Sequence, residues 1–535
     1  MNAAWRPQGA TDGAIGANYR PAMASTGTAT GGEQVDVLVV GAGFGGLGAA
    51  MGLAERGARV MVCELLDYPG GCAGTFERRG LRFDAGATLS SGFAAGQLFE
   101  VWARRHGLEL PRTLLDPVVE LRAPGLELAV AADRGIFVER MVALAGERGD
   151  AVRRFFVYQA RVAGTLWEVL ADPRLLPPLG PGGVLAHMTR IGRYLPIARW
   201  MGRPLLAVLE RFDVAGVAPL RLFCDAVCQI TLQCPADEAE APFALATLDY
   251  FFRGVAHVHG GIGELARGIV LALTGLGAQV CYHRPVSAMT ADGAGWLVQT
   301  RRGPVRARAV VANVLPQALQ RMLTPTDPAQ RRLGQLARQV ETGWSAAMLY
   351  LVARPPAGAP AHAHHLELVD DPSVRLIEGN HLFASISGAD EAGRAPAGRR
   401  VITVSTHLPA EYLRTLSPTA TGEYIARVQA RMREVFAARA PEWNVGIETV
   451  MTASPRTFER YTRRPGGLVG GVPRRAGLHN YTGAWPRPIA PHLWLVGDSV
   501  FPGQSTLATA LGGLRVAEAL AGALGLPARA LPAGR

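Results

Sequence analysis

The chain has 535 residues and a mass of 56.7 kDa, and 49% of its residues are hydrophobic, which allows two or three domains with ordinary cores. All 55 basic residues are arginine, so chemistry that needs a lysine, such as a pyridoxal phosphate Schiff base or a GxxxxGK[ST] loop, is excluded. The net charge of +11 comes from scattered arginines without a recognition motif, which argues against nucleic-acid binding.

Residues 1–34 are rich in glycine and alanine and are expected to form a disordered tail. The segment lacks the continuous apolar stretch of a secretory signal, and no window of about 18 apolar residues in the sequence would span a membrane. We therefore expect a cytoplasmic protein without a membrane span. Peripheral membrane contact and a transit peptide stay open as alternatives.

A βαβ unit follows the tail. Residues 35–40 are an apolar run that predicts a buried parallel strand, and residues 44–57 have small and apolar residues at helical spacing. Residues 59–64 predict a second strand, which ends in Glu64. The turn between the first strand and the helix is Gly41-Ala42-Gly43-Phe44-Gly45-Gly46.

This turn has the spacing of a dinucleotide-binding fingerprint. Gly41 permits the tight turn, Gly43 lets the backbone approach a pyrophosphate, and Gly46 lets the helix pack closely on its strand. Glu64 lies 23 residues after Gly41, where a carboxylate can accept hydrogen bonds from the adenosine ribose. An acid at this position favours FAD or NAD over NADP.

The middle of the chain, roughly 95–250, is predicted to be helical. Within it, residues 174–212 hold six arginines and one acid among many apolar residues. This segment either touches a membrane or is a solvated helix face on which arginines cover apolar neighbours. From Gly260 a helix over 264–273 and strands near 279–282, 296–300 and 306–313 return the chain to the first domain. Further strands are expected at 345–352, 401–405 and 493–497, and a final helix over 505–521.

Two separated segments carry a family resemblance. Residues 64–76, which include the pair Gly70-Gly71, and residues 80–88 resemble the extended signature of the flavin amine-oxidase and carotenoid-desaturase superfamily. Residues 495–504 resemble its second flavin signature. The resemblance implies that FAD is the cofactor, that Gly497 and Gly503 belong to its site, and that Asp498 bonds its ribityl chain.

Within that superfamily the ordered chain resembles the phytoene desaturase and carotenoid isomerase group, with retinol saturase and the hydroxycarotenoid 3,4-desaturases. The supporting segments are 72–78, 258–265, 310–313, 394–398 and 466–473. The resemblance implies that Val286 lends its backbone to the adenine and that the substrate is a lipophilic polyene drawn from a membrane. A quinone or O2 would accept the electrons.

Cys72 departs from the pattern of the broader superfamily, in which many relatives carry an arginine after Gly-Gly. A cysteine at this position resembles the isomerase, saturase and 3,4-desaturase branches. We expect a small packing residue there rather than a redox thiol. Amine oxidation is disfavoured because that branch holds a lysine near the flavin and this chain has none.

Other candidates are weaker. The cluster His362-Ala363-His364-His365 is interpreted as a surface turn rather than a metal site, and the six cysteines include no CxxC pair, so no metal is expected. His257 and His259 are interpreted as packed or hydrogen-bonded histidines, with an acid–base role as the alternative. Tyr461, Arg463 and Arg464 either face the flavin or cap a loop. No catalytic acid or base is assigned.

The sequence therefore predicts an α/β protein with a Rossmann-type FAD-binding domain, similar to that of glutathione reductase, and an inserted α+β substrate domain. The FAD-binding parts are predicted at 35–130, 251–330 and 466–524, the helical substrate part at 131–250, the second substrate part at 331–465, and a tail at 525–535. The expected activity is FAD-dependent desaturation of a carotenoid or related isoprenoid polyene. The alternatives are an isomerase or saturase of the same family, another isoprenoid flavoenzyme, an amine oxidase, and a non-enzymatic flavin or lipid carrier.

Overall fold

A computed structural model describes residues 33–391, 393–482 and 487–527, which form two large sheets and a helical region around one cavity. Of the predicted tails 1–34 and 525–535, residues 1–32 and 528–535 lie outside the described residues. Glu33 and Gln34, which the sequence assigned to the tail, belong to the first strand.

The strands of the described residues are, in chain order, β1 (Glu33–Val40), β2 (Val60–Cys63), β3 (Thr75–Arg78), β4 (Leu81–Asp84), β5 (Leu89–Ser90), β6 (Arg112–Leu114), β7 (Val119–Ala123), β8 (Leu126–Val130), β9 (Ala256–Val258), β10 (Gln279–Cys281), β11 (Val286–Asp292), β12 (Gly295–Thr300), β13 (Gly303–Ala312), β14 (Trp344–Ala353), β15 (His364–Val369), β16 (His381–Ile386), β17 (Arg400–Pro409), β18 (Ile447–Ala453), β19 (Leu468–Val469), β20 (Pro488–Ala490) and β21 (Leu493–Leu495).

The α-helices of the described residues are α1 (Phe44–Ala54), α2 (Leu98–His106), α3 (Arg134–Leu144), α4 (Gly149–Ala171), α5 (Pro181–Met188), α6 (Ile191–Ala198), α7 (Leu205–Arg211), α8 (Ala218–Leu232), α9 (Ala241–Thr247), α10 (Gly263–Gly275), α11 (Pro316–Met322), α12 (Ala329–Glu341), α13 (Ala410–Thr415), α14 (Pro418–Arg439), α15 (Pro441–Asn444), α16 (Pro455–Thr462), α17 (His479–Thr482) and α18 (Thr506–Ala523).

The first large sheet contains the predicted βαβ unit. Strands β10, β2, β1 and β13 lie side by side in parallel, and β21 pairs in parallel with the last residues of β13. Strands β11 and β12 extend this sheet as an antiparallel excursion. Helices α1, α10 and α18 cover one face and α11 and α12 the other, so the central strands are buried on both sides. The chain thus returns to this sheet from distant parts of the sequence, as predicted.

Helices α1 and α18 pack against each other almost without side chains between them. A Cβ on Gly48 would overlap the carbonyl oxygen of Ala510, and a Cβ on Gly513 would overlap that of Gly45. These glycines let the two helix backbones touch. The helix after the first glycine turn and the helix after residues 495–504 therefore begin at the same end of the sheet.

The second large sheet has the order β18-β14-β17-β16-β15-β7-β8, and its neighbours are antiparallel except for β7 and β15. Helix α14 covers one face with an apolar core, and the opposite face borders the cavity. Strands β7 and β8 were assigned from the sequence to the FAD-binding part ending at residue 130, but they pair in this second sheet.

The helical region, α3 to α9, shares a hydrophobic core with β7 and β8 and closes the cavity from the third side. Among the described residues, none of the helices combines the length and the apolar character needed to cross a membrane.

Candidate functional site

The glycine turn after β1 is folded so closely that side chains have no room. Gly41 has a φ of +92°, and a Cβ on it would lie 2.9 Å from the carbonyl oxygen of Asn313. A Cβ on Gly45 would lie 2.8 Å from the backbone nitrogen of Gly497. Gly43 caps α1 without any side chain, so the first N–H groups of the helix are open towards the cavity. Such a bare helix start binds a phosphate.

Glu64 lies directly after β2 and is 7% exposed. One carboxylate oxygen accepts the N–H of Ala42 in the turn at 2.7 Å, and the other accepts the N–H of Leu66 at 2.9 Å. Burial raises the pKa of Glu64, and these backbone N–H groups oppose the rise. Each oxygen keeps a further lone pair, with which it can accept a ribose hydroxyl.

Gly70, Gly71 and Val286 complete the first half of the site. Gly70 has a φ of +107°, and its N–H donates to the carbonyl of Ala42 at 2.9 Å, which holds the pair against the turn. The N–H of Arg284 donates to the carbonyl of Glu64 at 2.8 Å, so Val286, which begins β11, lies close to the ribose acid. The contact of Val286 with the adenine stays a prediction.

The second signature meets the first at the end of β21. Gly497 has a φ of +108°, and a Cβ on it would lie 2.9 Å from the side-chain oxygen of Asn313. Asp498 accepts a hydrogen bond from Arg464 at 2.8 Å. Arg464 also donates to the carbonyls of Leu468 and Gly470, so it both caps a loop and pairs with a predicted cofactor residue.

Ten of the twelve predicted cofactor residues line one cavity of about 1120 Å³. They are Gly41, Gly43, Phe44, Gly45, Glu64, Gly70, Gly71, Val286, Gly497 and Asp498. Gly46 faces away from it, because a Cβ there would overlap the carbonyl of Gly41, and this position agrees with its predicted packing role. Gly503, with a φ of +115°, lies between cavity-lining neighbours.

Two residues of this cavity were missed as site residues. Asn313 follows β13 and approaches Gly41, Gly43 and Gly45; its place at the carboxyl end of a central parallel strand is a signal that could have found it. Arg474 is 4% exposed, and neither of its terminal nitrogens has a partner. Burial lowers the pKa of Arg474 to about 10, so it stays protonated at pH 7.

Beyond the cofactor residues the cavity becomes apolar and extends to α5 and α6. Its walls there include Leu166, Trp167, Leu170, Ile197, Met201 and Phe243. At this end His187 and the hydroxyl of Tyr194 lie 2.8 Å apart and both border the cavity. The apolar walls suit a long hydrocarbon and exclude water.

The outer surface of α5 and α6 is also apolar. Its exposed residues are Val184, Leu185, Met188, Ile191 and Leu195, each between 48% and 69% exposed. Arg190, Arg193 and Arg199 lie among them; Arg193 pairs with Glu168, and Arg199 lies over the ring of Trp200 at 5.0 Å. The segment 174–212, for which membrane contact and a solvated helix face were the two alternatives, thus combines exposed apolar side chains with arginines.

The remaining candidates lie beside the cavity rather than in its cofactor half. His257 donates to the buried carboxylate of Glu391 at 2.8 Å, and Nε2 of His259 lies 2.7 Å from the hydroxyl oxygen of Thr113, within hydrogen-bond distance. Both are hydrogen-bonded histidines. The cluster predicted as a surface turn is different: His365 is buried in β15, and its ring packs against His257 at 5.4 Å. No group of three metal-binding side chains occurs among the described residues.

Cys72 and Tyr461 border the cavity near the glycine pair. Burial raises the pKa of the Cys72 thiol, although the nearby Arg464 lowers it, and a protonated thiol is a poor nucleophile. Tyr461 is 47% exposed.

The residues present fit a bound dinucleotide. The cradle at Gly43 and Gly45 would be filled by any Cβ, the buried carboxylate of Glu64 lies at the ribose position, and Arg474 is an unpaired cation in the same cavity. A flavin dinucleotide offers phosphates, ribose hydroxyls and ring carbonyls to these groups.

Comparisons with known proteins agree with this geometry. Residues 39–105 match the model of the NAD(P)-binding Rossmann-like domain. Prolycopene isomerase 1 of an Oncidium hybrid cultivar is 25% identical over 93% of this chain and 86% of its own length. Hydroxyneurosporene desaturase of Cereibacter sphaeroides is 26% identical over 90% of this chain and 97% of its own. The predicted resemblance to the carotenoid desaturase and isomerase family is confirmed.

A solved structure of putrescine oxidase has a TM-score of 0.60 and 16% identity, and the match covers 91% of this chain and 99% of that one. At this identity the likeness concerns the fold, and it confirms the predicted α/β architecture with a Rossmann-type domain. This chain therefore has the same overall fold as putrescine oxidase, and a shared fold does not by itself identify a substrate.

Proposed function

We propose that this chain binds FAD and desaturates a carotenoid or related long isoprenoid, removing two hydrogens from neighbouring carbons to form a C=C bond. The observation that carries the proposal is the single cavity, which joins the dinucleotide cradle at Gly43 and Glu64 to a long apolar space ending at α5 and α6. When bound, FAD accepts a hydride equivalent and passes electrons to a quinone or to O2.

The chain's own residues bind the cofactor and align the substrate. The open N–H groups of α1 hold the pyrophosphate, Glu64 accepts from the adenosine ribose, and Asp498 accepts from the ribityl chain. The apolar walls hold an extended polyene in one orientation and exclude water from the reacting carbons. Among the described residues, the arginines that line the cavity, Arg463, Arg464 and Arg474, belong to the cofactor half, and those that line the apolar half offer an amine no carboxylate.

Isomerisation of a polyene is the second candidate. It is supported by the prolycopene isomerases among the similar proteins, which are 23% to 25% identical over nearly the whole chain. Cys72 also resembles the residue of that branch. In this case electrons return to the polyene, and the number of double bonds does not change.

We also propose that the surface of α5 and α6 docks on a membrane and receives the polyene there. The exposed side chains Leu185 and Leu195 lie on α5 and α6, and these helices also border the cavity, through His187 on α5 and Tyr194 on α6. A lipophilic substrate would therefore pass from the bilayer to the cavity without crossing water.

Expression in cells that accumulate different carotenes tests the activity. Desaturation is expected to shift the absorption of the extracted pigment to the red. Isomerisation is expected to change the isomer without adding conjugated double bonds. An unchanged pigment with every carotene would contradict both candidates. A purified protein that shows no yellow chromophore after FAD reconstitution would contradict the flavin proposal itself.

A further inference from the structure

Arg474 places a buried positive charge in the wall of the cavity. Its side chain lines the cavity, and its guanidinium lies over the ring of Phe243, 5.6 Å from the ring centre. The terminal nitrogens, Nη1 and Nη2, have no hydrogen-bond partner. Burial lowers the pKa of Arg474 to about 10, and no carboxylate among the described residues opposes this fall. The guanidinium therefore stays charged at pH 7 without a partner.

The other two arginines that line the described part of the cavity differ from Arg474. Arg464 pairs with Asp498 at 2.8 Å. Burial lowers the pKa of Arg464, but the charge of Asp498 outweighs this and raises it. Arg463 is exposed, so water and salt screen its charge. Of the three, Arg474 is the one whose charge is both buried and unpaired.

An unpaired charge in a buried site costs free energy, and this cost falls when a negative group occupies the neighbouring cavity. The two proposed ligands differ in this respect. A carotenoid or related hydrocarbon carries no charge and cannot act as the partner of Arg474. A flavin dinucleotide carries negative phosphates, and its ring becomes negative on reduction. The partner of Arg474 therefore belongs to the cofactor.

Arg474 lies where the cofactor half of the cavity meets the apolar half. The glycine turn, where the phosphates are proposed to bind, meets the second signature at Gly497. A Cβ on Gly503, near the end of that signature, would lie 3.0 Å from Nη2 of Arg474. Phe243, beneath the guanidinium, belongs to the apolar walls. In the proposed function the flavin ring belongs at this junction, because the ring connects the phosphate end of the cofactor to the substrate.

Reduction adds the negative charge to the ring. In the proposed desaturation two C–H bonds break and one C=C bond forms. One hydrogen leaves for the flavin as a hydride equivalent, which is two electrons and one proton, and the other leaves as a proton to solvent. One negative charge is thereby added to the ring. A cation in a poorly hydrated site nearby stabilises the charged reduced ring more than the neutral oxidised ring.

We propose that Arg474 stabilises the reduced form of the bound flavin and thereby raises its reduction potential. The inference rests on the proposed function in one respect, that FAD occupies the cavity, and it does not depend on which polyene reacts. A cofactor with a raised potential accepts hydride more readily, which favours desaturation. Arg474 thus tunes the cofactor and does not touch the reacting carbons.

The midpoint potential of the flavin-loaded protein tests this role, measured by anaerobic reduction against a dye of known potential. Arg474→Met removes the charge and keeps a side chain that can pack on Phe243. We expect this variant to reduce the preference for reduced over oxidised flavin at least about tenfold, which lowers the potential by about 30 mV for a two-electron couple. Arg463→Gln is the matched control, since it removes an exposed charge from the same half of the cavity. It should change the preference by less than about twofold.

Arg474→Lys shows whether the charge itself is responsible. A buried lysine loses its proton more readily than an arginine. The potential of Arg474→Lys should therefore exceed that of Arg474→Met at about pH 6, and the two potentials should approach each other at about pH 9. Equal potentials of Arg474→Lys and Arg474→Met at every pH would contradict a role of the charge.

Unfolding of the flavin-free protein in urea separates this role from a structural one. Removing an unpaired buried charge relieves its cost, so Arg474→Met should not lower the urea midpoint. A lowered midpoint together with an unchanged potential would show that Arg474 supports the fold alone, and it would overturn the proposal.

The remaining outcomes also decide. In Arg474→Met, an equal loss of affinity for oxidised and reduced flavin, up to complete release of the cofactor, would place Arg474 at the phosphates and overturn the proposal. A shift in Arg463→Gln as large as that in Arg474→Met would show that the overall charge is sufficient, which also overturns it. If the unmodified protein binds no FAD, the flavin part of the proposed function fails, and this inference fails with it.

Discussion

The two large sheets face the same cavity but present different chemistry to it. The first sheet presents strand ends, glycines and backbone N–H groups, and its one buried acid, Glu64, is held by the N–H groups of Ala42 and Leu66. The second sheet presents a broad face, from which His381, Phe383, Ser405 and His407 line the cavity with their side chains. The proposed cofactor side therefore offers a ligand mainly groups of the main chain, whereas the proposed substrate side offers side chains.

The largest effect of a substitution is expected in the glycine turn, where the main chain has no room for a side chain. Gly45→Val would push a side chain against the backbone of Gly497, and overpacking against rigid backbone costs about 3 kcal/mol, or about a hundredfold in FAD affinity. Absorbance of bound flavin per folded chain measures this. Gly164→Val is the control, because Gly164 lies in α4 with nothing within 4 Å of its Cβ position. Equal flavin loading of the two variants would contradict a cradle at Gly45.

The cofactor side could be predicted because its information is local. The strand, turn, helix and acid from residue 35 to Glu64 are contiguous, and each glycine has one mechanical task, so the spacing alone places them. Asn313 was missed as a site residue because it comes from a strand that meets the turn only through the parallel pairing of β1 and β13. Arg474 has no local pattern around it, and only the folded chain places it in the cavity.

The substrate side could not be predicted in the same way because its pairings are long-range. His365 looked like part of a surface turn beside a proline-rich segment, but β16 and β7 flank its strand and bury it. The pairing of β7 with β15 joins residues near 120 to residues near 366, and nothing in either segment specifies the other. The sequence shows that a residue is polar, but only the folded chain shows whether that residue is buried and can belong to a binding site.

Buried charges hold the junction between the two sides together. A substitution there should have the largest effect after that of Gly45→Val. Glu391 accepts hydrogen bonds from His257 and Gly260 and pairs with Arg394, which also donates to Asp84 at 3.0 Å. Burial alone would raise the pKa of Glu391, but the hydrogen bond from His257 and the charge of Arg394 outweigh it and hold the pKa well below its usual range.

Glu391→Gln should therefore lower the free energy of unfolding by about 2 kcal/mol at pH 7, because it leaves Arg394 with one fewer charged partner. A carboxyl with a lowered pKa stabilises the fold above its unfolded pKa of about 4.3, and this stabilisation is lost as the pH falls towards the folded value. The difference between wild type and variant in urea unfolding should thus shrink below about pH 4. Glu139→Gln, at an exposed pair with Arg153, should leave the urea midpoint unchanged. A gap that widens on acidification would contradict this account of Glu391.

A smaller effect is expected at the entrance, where the apolar half of the cavity meets α5 and α6. Leu185→Glu combined with Leu195→Glu should weaken binding to anionic vesicles by about tenfold, because two buried contacts with lipid are replaced by charges. Vesicle flotation measures the bound fraction. Leu271→Glu is the matched control, since Leu271 is 68% exposed on α10, which borders no part of the cavity.

The proposed docking surface predicts a second, weaker response to charge. Replacing Arg190, Arg193 and Arg199 together with glutamate should also lower vesicle binding, and added salt should reduce the difference. Arg193 is already paired with Glu168, so its own share should be the smallest. Vesicle binding that is unchanged in both the leucine and the arginine variants would reject α5 and α6 as the docking surface.

The smallest effect is expected at Cys72, where the cofactor side has its one unusual side chain. Cys72 is half-buried in the cavity wall near Arg464, and its partial removal from water keeps the pKa of the thiol raised, so it should pack as a small protonated group without reacting. Cys72→Ala should then change flavin loading and pigment conversion by no more than about twofold, which corresponds to about 0.4 kcal/mol. Alkylation by iodoacetamide at pH 8 should be slow at Cys72 in the folded protein and fast after unfolding. A large loss of conversion at full flavin loading would instead show that Cys72 takes part in the reaction, and the cofactor side would then also use a side chain for its chemistry.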